Sequence, residues 1–458
     1  MGSSFDAIVI GAGQAGPPLA QRLTEAGMSV ALIERKLVGG TCVNTGCIPT
    51  KALVASAYAA HLARRAADYG VEIEGTVRVD FARAMQRARD IAANARANVR
   101  KWLDSMQNCT VIEGHARFAD RSTVRVGDQR LSAERIFLNV GARAKTPDIP
   151  GVSTVPTLTN SSILELRELP KHLVVIGGSY VGLEFAQMFR RFGSEVTIVE
   201  QGPRLIARED PEISEQLREI LAQEGIAIRT NAKCIRLAKH ERGIAVGLDC
   251  DSGEPEVVGS HVLLAVGRTP NTDDLALDKA GVQLDEKGFV RVDDSLATNV
   301  PGIWALGECN GRGAFTHTAY NDYEIVAANL LDGDRRRVSD RILAYALYTD
   351  PPLGRVGMTL AQARKSGRSI LVATRPMSRV GRAIERGETL GTMQIIVDAH
   401  SHEILGAAIL GTSGDEAIHG VIDMMNARAP FTTLKWAVPI HPTVSELLPT
   451  LLSELKSA

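Results

Sequence analysis

Two cysteines stand five residues apart in the glycine-rich stretch GGTCVNTGCIPTK at residues 39–51, Cys42 and Cys47. The other four cysteines of the 458-residue chain, Cys109, Cys234, Cys250 and Cys309, show no comparable pairing. A close thiol pair outside a disulfide framework offers two chemistries, thiolate catalysis or metal binding. A structural zinc site asks for C-x2-C spacing with a second pair or histidines nearby, and none accompanies this C-x4-C. The residues after Cys47, IPTKALVASAYAAHLARRAADYG, read as a helix. A thiolate at a helix N-terminus is stabilised by the dipole and by unpaired amides, so Cys47 is expected to carry a lowered pKa. Cys109, Cys234 and Cys250 are read as inert thiols, and His419 as an ordinary helix residue.

The elements around this turn read as nucleotide-binding units. In FDAIVIGAGQAGPPLAQRLTEAGMSVALIER a strand leads into Gly11, Gly13 and Gly16 as G-x-G-x-x-G, then a helix, then a strand closed by Glu34. The first glycine permits the tight turn, the second lets backbone approach a pyrophosphate, and the third lets helix and strand pack closely. Glu34 lies where a carboxylate accepts ribose hydroxyls. The same order recurs in HLVVIGGSYVGLEFAQMFRRFGSEVTIVEQ, with Gly177 and Gly182 outermost, Ser179 at the middle position and Glu200 at the end. Glu34 follows Gly11 by 23 positions, and Glu200 follows Gly177 by the same 23. Two copies imply two dinucleotide sites. Glu200 favours NADH over NADPH, because a 2′-phosphate would meet a carboxylate; Arg204 keeps NADPH open as the alternative.

Bulk properties exclude several classes. With 52 basic and 53 acidic residues the chain has no electrostatic footprint for nucleic acid or an anionic membrane. Its longest apolar runs are strand-sized, so no membrane span is expected and the partner is read as a small molecule. MGSSFDAIVIGAG lacks a basic leader, and the expected compartment is the cytoplasm. The arginine-rich run VDFARAMQRARDIAANARANVRKWLDSM has helical spacing with interspersed aspartates and reads as a solvated helix with an apolar stripe. RIFLNVGARAKTPDIPG and HVLLAVGRTPNTDDL read as chain crossings between two nucleotide domains. GIWALGECNGRGAFTHTAYNDYEIVAANL gives a strand, Glu308 and a long helix, and from about Leu343 a separate unit begins, with strands TMQIIVDAH and ILGAAILG and helices DEAIHGVIDMMNAR and VSELLPTLLSELK.

On these residues the chain resembles the class I pyridine nucleotide-disulfide oxidoreductases, the group of lipoamide dehydrogenase, glutathione reductase and mercuric reductase, over essentially its whole length. The resemblance implies an α/β fold of two Rossmann-like domains, the NAD domain inserted in the FAD domain, plus a C-terminal α+β dimerisation domain. The expected division is 1–150 and 269–340 for FAD, 151–268 for NAD(P)H and 341–458 for dimerisation. It implies that Cys42 is the interchange thiol and Cys47 the thiol beneath the flavin, and that Lys51 pairs with Glu184 beside the flavin ring. Tyr180 matches the tyrosine covering the nicotinamide pocket. FAD contacts are implied at Gly11, Gly13, Gly16, Glu34, Gly40, Thr41, Gly46, Lys51 and Gly141. NAD contacts are implied at Gly177, Ser179, Tyr180, Gly182, Glu184, Glu200 and Gly267. Glu308 falls where the family has an aspartate bonding the flavin ribityl chain; one extra methylene must move that bond or the backbone. In VPIHPTVSELL the resemblance makes His441 the acid-base group for the partner subunit's interchange thiol, oriented by Glu446. A homodimer with shared active sites follows.

LNVGAR and REDPEI resemble mercuric reductases, but Cys309 is the last cysteine, and YTDPPLGRVGMT and GRGAFTHTAYND are most similar to the mercuric-reductase-like branch that lacks the C-terminal vicinal cysteines. The expected function is electron transfer from NADH through FAD to the Cys42–Cys47 disulfide and on to a small acceptor, a disulfide or a metal ion, with no resident metal. The alternatives are a dihydrolipoamide dehydrogenase running toward thiol oxidation, and a flavin redox sensor with little turnover.

Overall fold

The computed structural model of the protein describes residues 2–249 and 254–458, so Cys250 lies outside the described residues. The chain divides into two compact units. One comprises Met1–Ala52, Met85–Lys145 and Gly267–Arg341; the other comprises Leu53–Ala84, Thr146–Val266 and Ile342–Ala458.

The first unit is organised by the strand Gly2–Ile10. Its last four residues are apolar without interruption, as a strand buried on both faces requires. Ile8 and Ile10 pack with Ile33, Ile136 and Leu138, whereas Ala7 and Val9 pack with Leu19, Leu23 and Leu32 on the opposite face. Burying each such Val, Leu or Ile side chain stabilises by about 1.5–3 kcal/mol. Val30–Glu34 and Gln129–Leu138 flank this strand in parallel, Cys109–Glu113 extends the sheet, and Ile303–Ala305 pairs with the second half of Gln129–Leu138. Thr123–Val126 and Ala116–Phe118 complete a seven-stranded sheet. In register, Ile10 lies opposite Ile33 and Leu138, and Leu138 lies opposite Ala305. The carboxyl ends of these strands therefore open together onto the turns at Gly11, Glu34, Asn139 and Gly307, the edge at which open parallel sheets bind ligands.

Helix Gly16–Glu25 follows the first turn, with Pro17 and Pro18 in positions whose missing N–H groups have no helical partner to lose. The arginine-rich run forms the helix Phe81–Asp104, whose buried residues Phe81, Met85, Ala88 and Ala92 fall at the expected three- and four-residue spacing.

The second unit repeats the pattern. Its parallel sheet runs Ala227–Arg229, Glu195–Val199, His172–Ile176, His261–Leu264. An antiparallel sheet of Lys233–His240, Gly243–Asp249 and Glu256–Gly259 adjoins it in sequence. The C-terminal part is a six-stranded antiparallel sheet in the order Ala344–Leu347, Leu353–Gly357, Ile404–Leu410, Thr392–Asp398, Ile370–Pro376, Lys456–Ser457. Its two central strands, Thr392–Asp398 and Ile404–Leu410, are buried at every position. Here the helices differ from the sequence expectation. DEAIHGVIDMMNAR forms two pieces, Gly414–Ala417 and His419–Asn426, and VSELLPTLLSELK is helical only over Leu447–Ser453. Pro449 has no N–H for a helical bond and is tolerated only in a first turn, which fixes the start near Leu447; Lys456–Ser457 then pairs with Ile370–Pro376 as an edge strand. Among the described residues no helix is long and apolar enough to cross a membrane.

Candidate active site

The turn that carries the cysteines is tied down by Asn44. Its Nδ2 donates to the carbonyls of Val38 and Gly40, each at 2.9 Å, while its Oδ1 accepts from Arg96 Nη1 at 3.1 Å. Gly40 has a φ of 62°, and a side chain there would meet Gly13 Cα at 2.7 Å, so the cysteine turn lies directly on the first glycine turn. Thr41 and Cys42 sit in the short helix Gly40–Asn44, Gly46 precedes the next helix, and Cys47 is the first residue of Cys47–Arg64. Both thiols are free and hydrogen-bonded to each other. The Cys42 thiol donates to Cys47, Thr316 Oγ1 lies 3.3 Å from the same sulfur, and the Lys51 ammonium adds its charge; together these lower the Cys47 pKa to about 6. Cys42 moves in the opposite direction, because its proton is held by the Cys47 sulfur and burial disfavours its thiolate. The pair thus shares one proton, as a Cys42 thiol and a Cys47 thiolate.

The two glycine turns are built alike. A side chain at Gly11 would meet Asn139 O at 2.2 Å and one at Gly16 would meet Gly11 O at 2.3 Å; at Gly177 and Gly182 the corresponding contacts are Ala265 O at 2.4 Å and Gly177 O at 2.1 Å. The outer glycines are therefore required by the chain's own packing. The middle one is not: a side chain at Gly13 would meet nothing nearer than Asn139 Nδ2 at 3.4 Å, and Ser179 occupies the equivalent place in extended backbone. The carboxylates match as well. Glu34 Oε2 accepts from Ala12 N–H at 2.9 Å and its Oε1 from Lys36 N–H at 2.8 Å. Glu200 Oε2 accepts from Gly178 N–H at 2.6 Å and its Oε1 from Gly202 N–H at 2.7 Å. A carboxylate offers roughly four acceptor sites, so each oxygen keeps one for a ribose hydroxyl.

The remaining expected residues fall as follows. Lys51 lies one turn into the helix Cys47–Arg64. Glu184 is buried in the helix Tyr180–Phe192 and accepts from Tyr348 N–H at 3.0 Å. Tyr180 opens that helix; its ring stands edge-on to Tyr345 with centroids 5.5 Å apart, and burial pushes its phenol up to about 12. Gly141 and Gly267 both have positive φ with open space around them, and their carbonyls accept from Asn271 N–H and Lys145 N–H at 3.0 Å each. Glu308 is held in the turn Gly307–Asn310 by an ion pair to Arg268 Nε at 2.7 Å, while burial pushes its pKa up. His441 Nδ1 is 2.9 Å from Glu446 Oε2, and the histidine is 79% exposed.

Three residues that sequence reading passed over complete the first unit. Thr316, the first residue of helix Thr316–Leu331, touches both cysteine sulfurs. Asn139 Nδ2 donates to Gly11 O at 3.1 Å. Asp322, fully buried, accepts from Gly307 N–H at 2.8 Å and Asn310 Nδ2 at 2.9 Å, pairs with Arg341, and so clamps the turn that carries Glu308. Among the described residues no group of three or more His, Cys, Asp or Glu side chains is arranged to hold a metal ion.

A reactive thiol pair laid on one of two matching dinucleotide turns defines a class of protein. The sequence profile of the pyridine nucleotide-disulphide oxidoreductases matches residues 5–322, and that of the dimerisation domain of the same family matches residues 343–452. The chain belongs to this family. It is 38% identical over 462 residues to the probable pyridine nucleotide-disulfide oxidoreductase RclA of Escherichia coli (strain K12), covering 99% of this chain and all of that one. A mercuric reductase from Staphylococcus aureus is 31% identical over 442 residues, covering 94% of this chain and 80% of its own length. The structure of the Cu(II) complex of the HOCl-induced flavoprotein disulfide reductase RclA from Escherichia coli matches with a TM-score of 0.90 at 37% identity, covering 99% of each chain. The protein is thus an FAD-dependent oxidoreductase that uses NAD(P)H and carries a dimerisation domain. The residues present fit both groups: Gly13 leaves backbone room that packing alone does not demand, and the Glu34 and Glu200 carboxylates each have acceptor capacity beyond the backbone N–H bonds they take.

Proposed function

We propose that this protein is a cytoplasmic homodimeric reductase that passes electrons from NADH to the Cys42–Cys47 disulfide and on to a small oxidised acceptor. In this reading residues 1–150 and 269–340 hold FAD, 151–268 hold the nicotinamide nucleotide and 341–458 form the dimer contact. The FAD that these residues would hold would supply a two-electron relay between nicotinamide and disulfide. Glu34 and Glu200 hold the two riboses, Gly13 and Ser179 face the pyrophosphates, Tyr180 covers the nicotinamide, and Lys51, Glu184 and Glu308 line the flavin. The single observation that carries the reading is the placement of the thiol pair, with its turn packed on the first glycine turn at Gly13 and Cys47 opening a helix, Thr316 Oγ1 3.3 Å from its sulfur.

Opening the disulfide takes up two electrons and one proton, leaving a Cys42 thiol and a Cys47 thiolate. Cys42, once deprotonated, attacks a sulfur of a disulfide acceptor; the leaving thiolate takes that proton, and Cys47 then attacks Cys42 to close the intramolecular disulfide and release the second product as a thiolate, which is protonated by solvent. His441, oriented by Glu446, handles the proton at Cys42 of the other subunit. That sharing is supported by the exposed apolar side chains beside it, with Trp436 78%, Val438 96% and Ile440 80% exposed, a patch that asks for a covering surface. A second reading, in which the acceptor is a thiophilic metal ion, is favoured by the Cu(II) complex of the similar RclA structure. Anaerobic turnover of NADH with lipoamide, glutathione disulfide, quinones, Hg(II) and Cu(II) tests both. Turnover with a disulfide supports the first acceptor and turnover with Cu(II) or Hg(II) the second. Oxidation of NADH that persists in Cys42→Ser with every acceptor refutes the route through the thiols.

A further inference from the structure

The helix that begins with Tyr180 faces a hydrogen-bonded chain of groups that none of the roles above uses. Tyr345, in the strand Ala344–Leu347, donates its hydroxyl proton to Glu209 Oε1 at 2.6 Å. Glu209 Oε2 accepts from Arg355 Nε at 2.9 Å and Nη2 at 2.5 Å, and the side chains of Glu209 and Arg355 are both fully buried. Asp210 also faces this arginine, with Oδ2 3.3 Å from Nη2, and is itself fixed by accepting from Leu360 N–H at 3.0 Å and Ala361 N–H at 3.1 Å. A carboxylate only accepts, and a phenol has one proton. With that proton committed to Glu209, Tyr345 oxygen has only lone pairs left to offer. The Tyr180 hydroxyl is within hydrogen-bond contact of it and the two rings meet at 83°. The sense of the chain is therefore fixed, with Tyr180 donating to Tyr345 and Tyr345 donating to Glu209.

We propose that Tyr345 is a positioning residue that latches Tyr180 over the nicotinamide pocket, so that entry of the nicotinamide ring must first break one phenol–phenol hydrogen bond. The proposal rests on the reading of Tyr180 as the cover of that pocket. A covering ring has to leave when the nicotinamide arrives, and the affinity for nucleotide is then reduced by the fraction of molecules in which the cover is closed. The Glu209–Arg355 pair gives the latch a rigid mount, since a fully desolvated ion pair with both carboxylate oxygens occupied does not rotate. Removing the Tyr345 hydroxyl leaves the ring packing in place and releases the cover.

The test compares NAD⁺, which carries the nicotinamide, with ADP-ribose, which occupies the same glycine turn without it. In the holoenzyme, Tyr345→Phe is expected to tighten the NAD⁺ Kd by about threefold to tenfold, the range set by one neutral hydrogen bond, and to move the ADP-ribose Kd by less than about twofold. Tyr180→Phe is expected to give the same split, and the double variant to add nothing, because the two hydroxyls share one bond. Equal shifts for both ligands in Tyr345→Phe overturn the latch in favour of a merely structural role. An unmoved NAD⁺ Kd in Tyr345→Phe, when Tyr180→Ala does change it, overturns the latch and leaves the cover standing. An NAD⁺ Kd unmoved by Tyr180→Ala as well removes the cover itself. Should Tyr345→Phe fail to fold, Tyr180→Phe alone carries the same expected split and the same refutation.

Discussion

Thr316→Val changes one atom that matters to the thiol pair. The variant keeps the shape of the side chain and deletes the hydroxyl 3.3 Å from Cys47 Sγ. In the native protein the larger share of the lowered pKa, about 6, comes from the Cys42 thiol, with Thr316 and then Lys51 adding to it. A hydrogen bond to a charged group contributes about 1.5–3 kcal/mol, and the low end applies to a cysteine as open to solvent as Cys47. At about 1.4 kcal/mol per pKa unit this corresponds to an upward shift of about one unit. The readout is the long-wavelength absorbance of thiolate against oxidised flavin after one equivalent of NADH, followed against pH without oxygen, with the ultraviolet absorbance of the thiolate as a second measure. The thiolate form persists above the midpoint and is lost as pH falls through it, near 6 in the native protein and near 7 in Thr316→Val. A native midpoint above about 8, or a variant whose midpoint does not move, refutes the assignment of the thiolate to Cys47 and of Thr316 as its donor.

Three further outcomes are expected. Steady-state kcat/KM should favour NADH over NADPH, and Glu200→Gln should narrow the gap, because the native carboxylate repels a 2′-phosphate; equal values in the native enzyme remove Glu200 from that role. His441→Ala should slow transfer from the thiols to a disulfide acceptor by about a hundredfold or more, and by far more than it slows flavin reduction, as rapid-mixing measurements of the two half-reactions will show. Gly13→Ala should lower FAD retention with little change in the Tm of the apoprotein, whereas Gly16→Ala, which forces a side chain to within 2.3 Å of Gly11 O, should lower the Tm by the equivalent of about 1–3 kcal/mol.

The parts of this protein that were legible in the sequence are those whose causes are local. Gly16 must be glycine because of Gly11, five residues away, and Gly182 because of Gly177 at the same distance, so the two turns announce themselves in a short window. The helix that Cys47 opens is likewise legible in the seventeen helical residues that follow it. The parts that were not legible are set by contacts between distant segments. Thr316 reaches Cys47 across 269 positions, Asn139 reaches Gly11 across 128, and Tyr345 reaches Glu209 across 136. A single side-chain hydrogen bond leaves no periodicity, and each partner alone is an ordinary polar residue. For the first two pairs the register of the first unit's parallel sheet does the work, because it aligns the carboxyl ends of Gly2–Ile10, Gln129–Leu138 and Ile303–Ala305 at one edge. The shortened helix at Leu447–Ser453 has the same lesson at small scale: apolar spacing suggested thirteen helical residues, and one proline fixed where the helix begins.

The shared proton also bears on why a chain with this thiol pair would need a histidine and glutamate elsewhere in its sequence. Lowering Cys47 and raising Cys42 share their largest cause, the hydrogen bond in which Cys42 keeps its proton beside the Cys47 sulfur. A protonated Cys42 is a poor nucleophile, because the thiolate is the reactive form. The arrangement that makes Cys47 a stable thiolate therefore disables the thiol assigned to the acceptor, unless a base removes its proton at the moment of attack. In the proposed reading His441, with Glu446 Oε2 2.9 Å from its Nδ1, is that base. A metal ion that binds thiolates displaces that proton by its own charge and has less need of the histidine. The ratio of the His441→Ala effects on disulfide and on Cu(II) reduction therefore reports which acceptor the thiol pair is built to serve, independently of which is reduced faster.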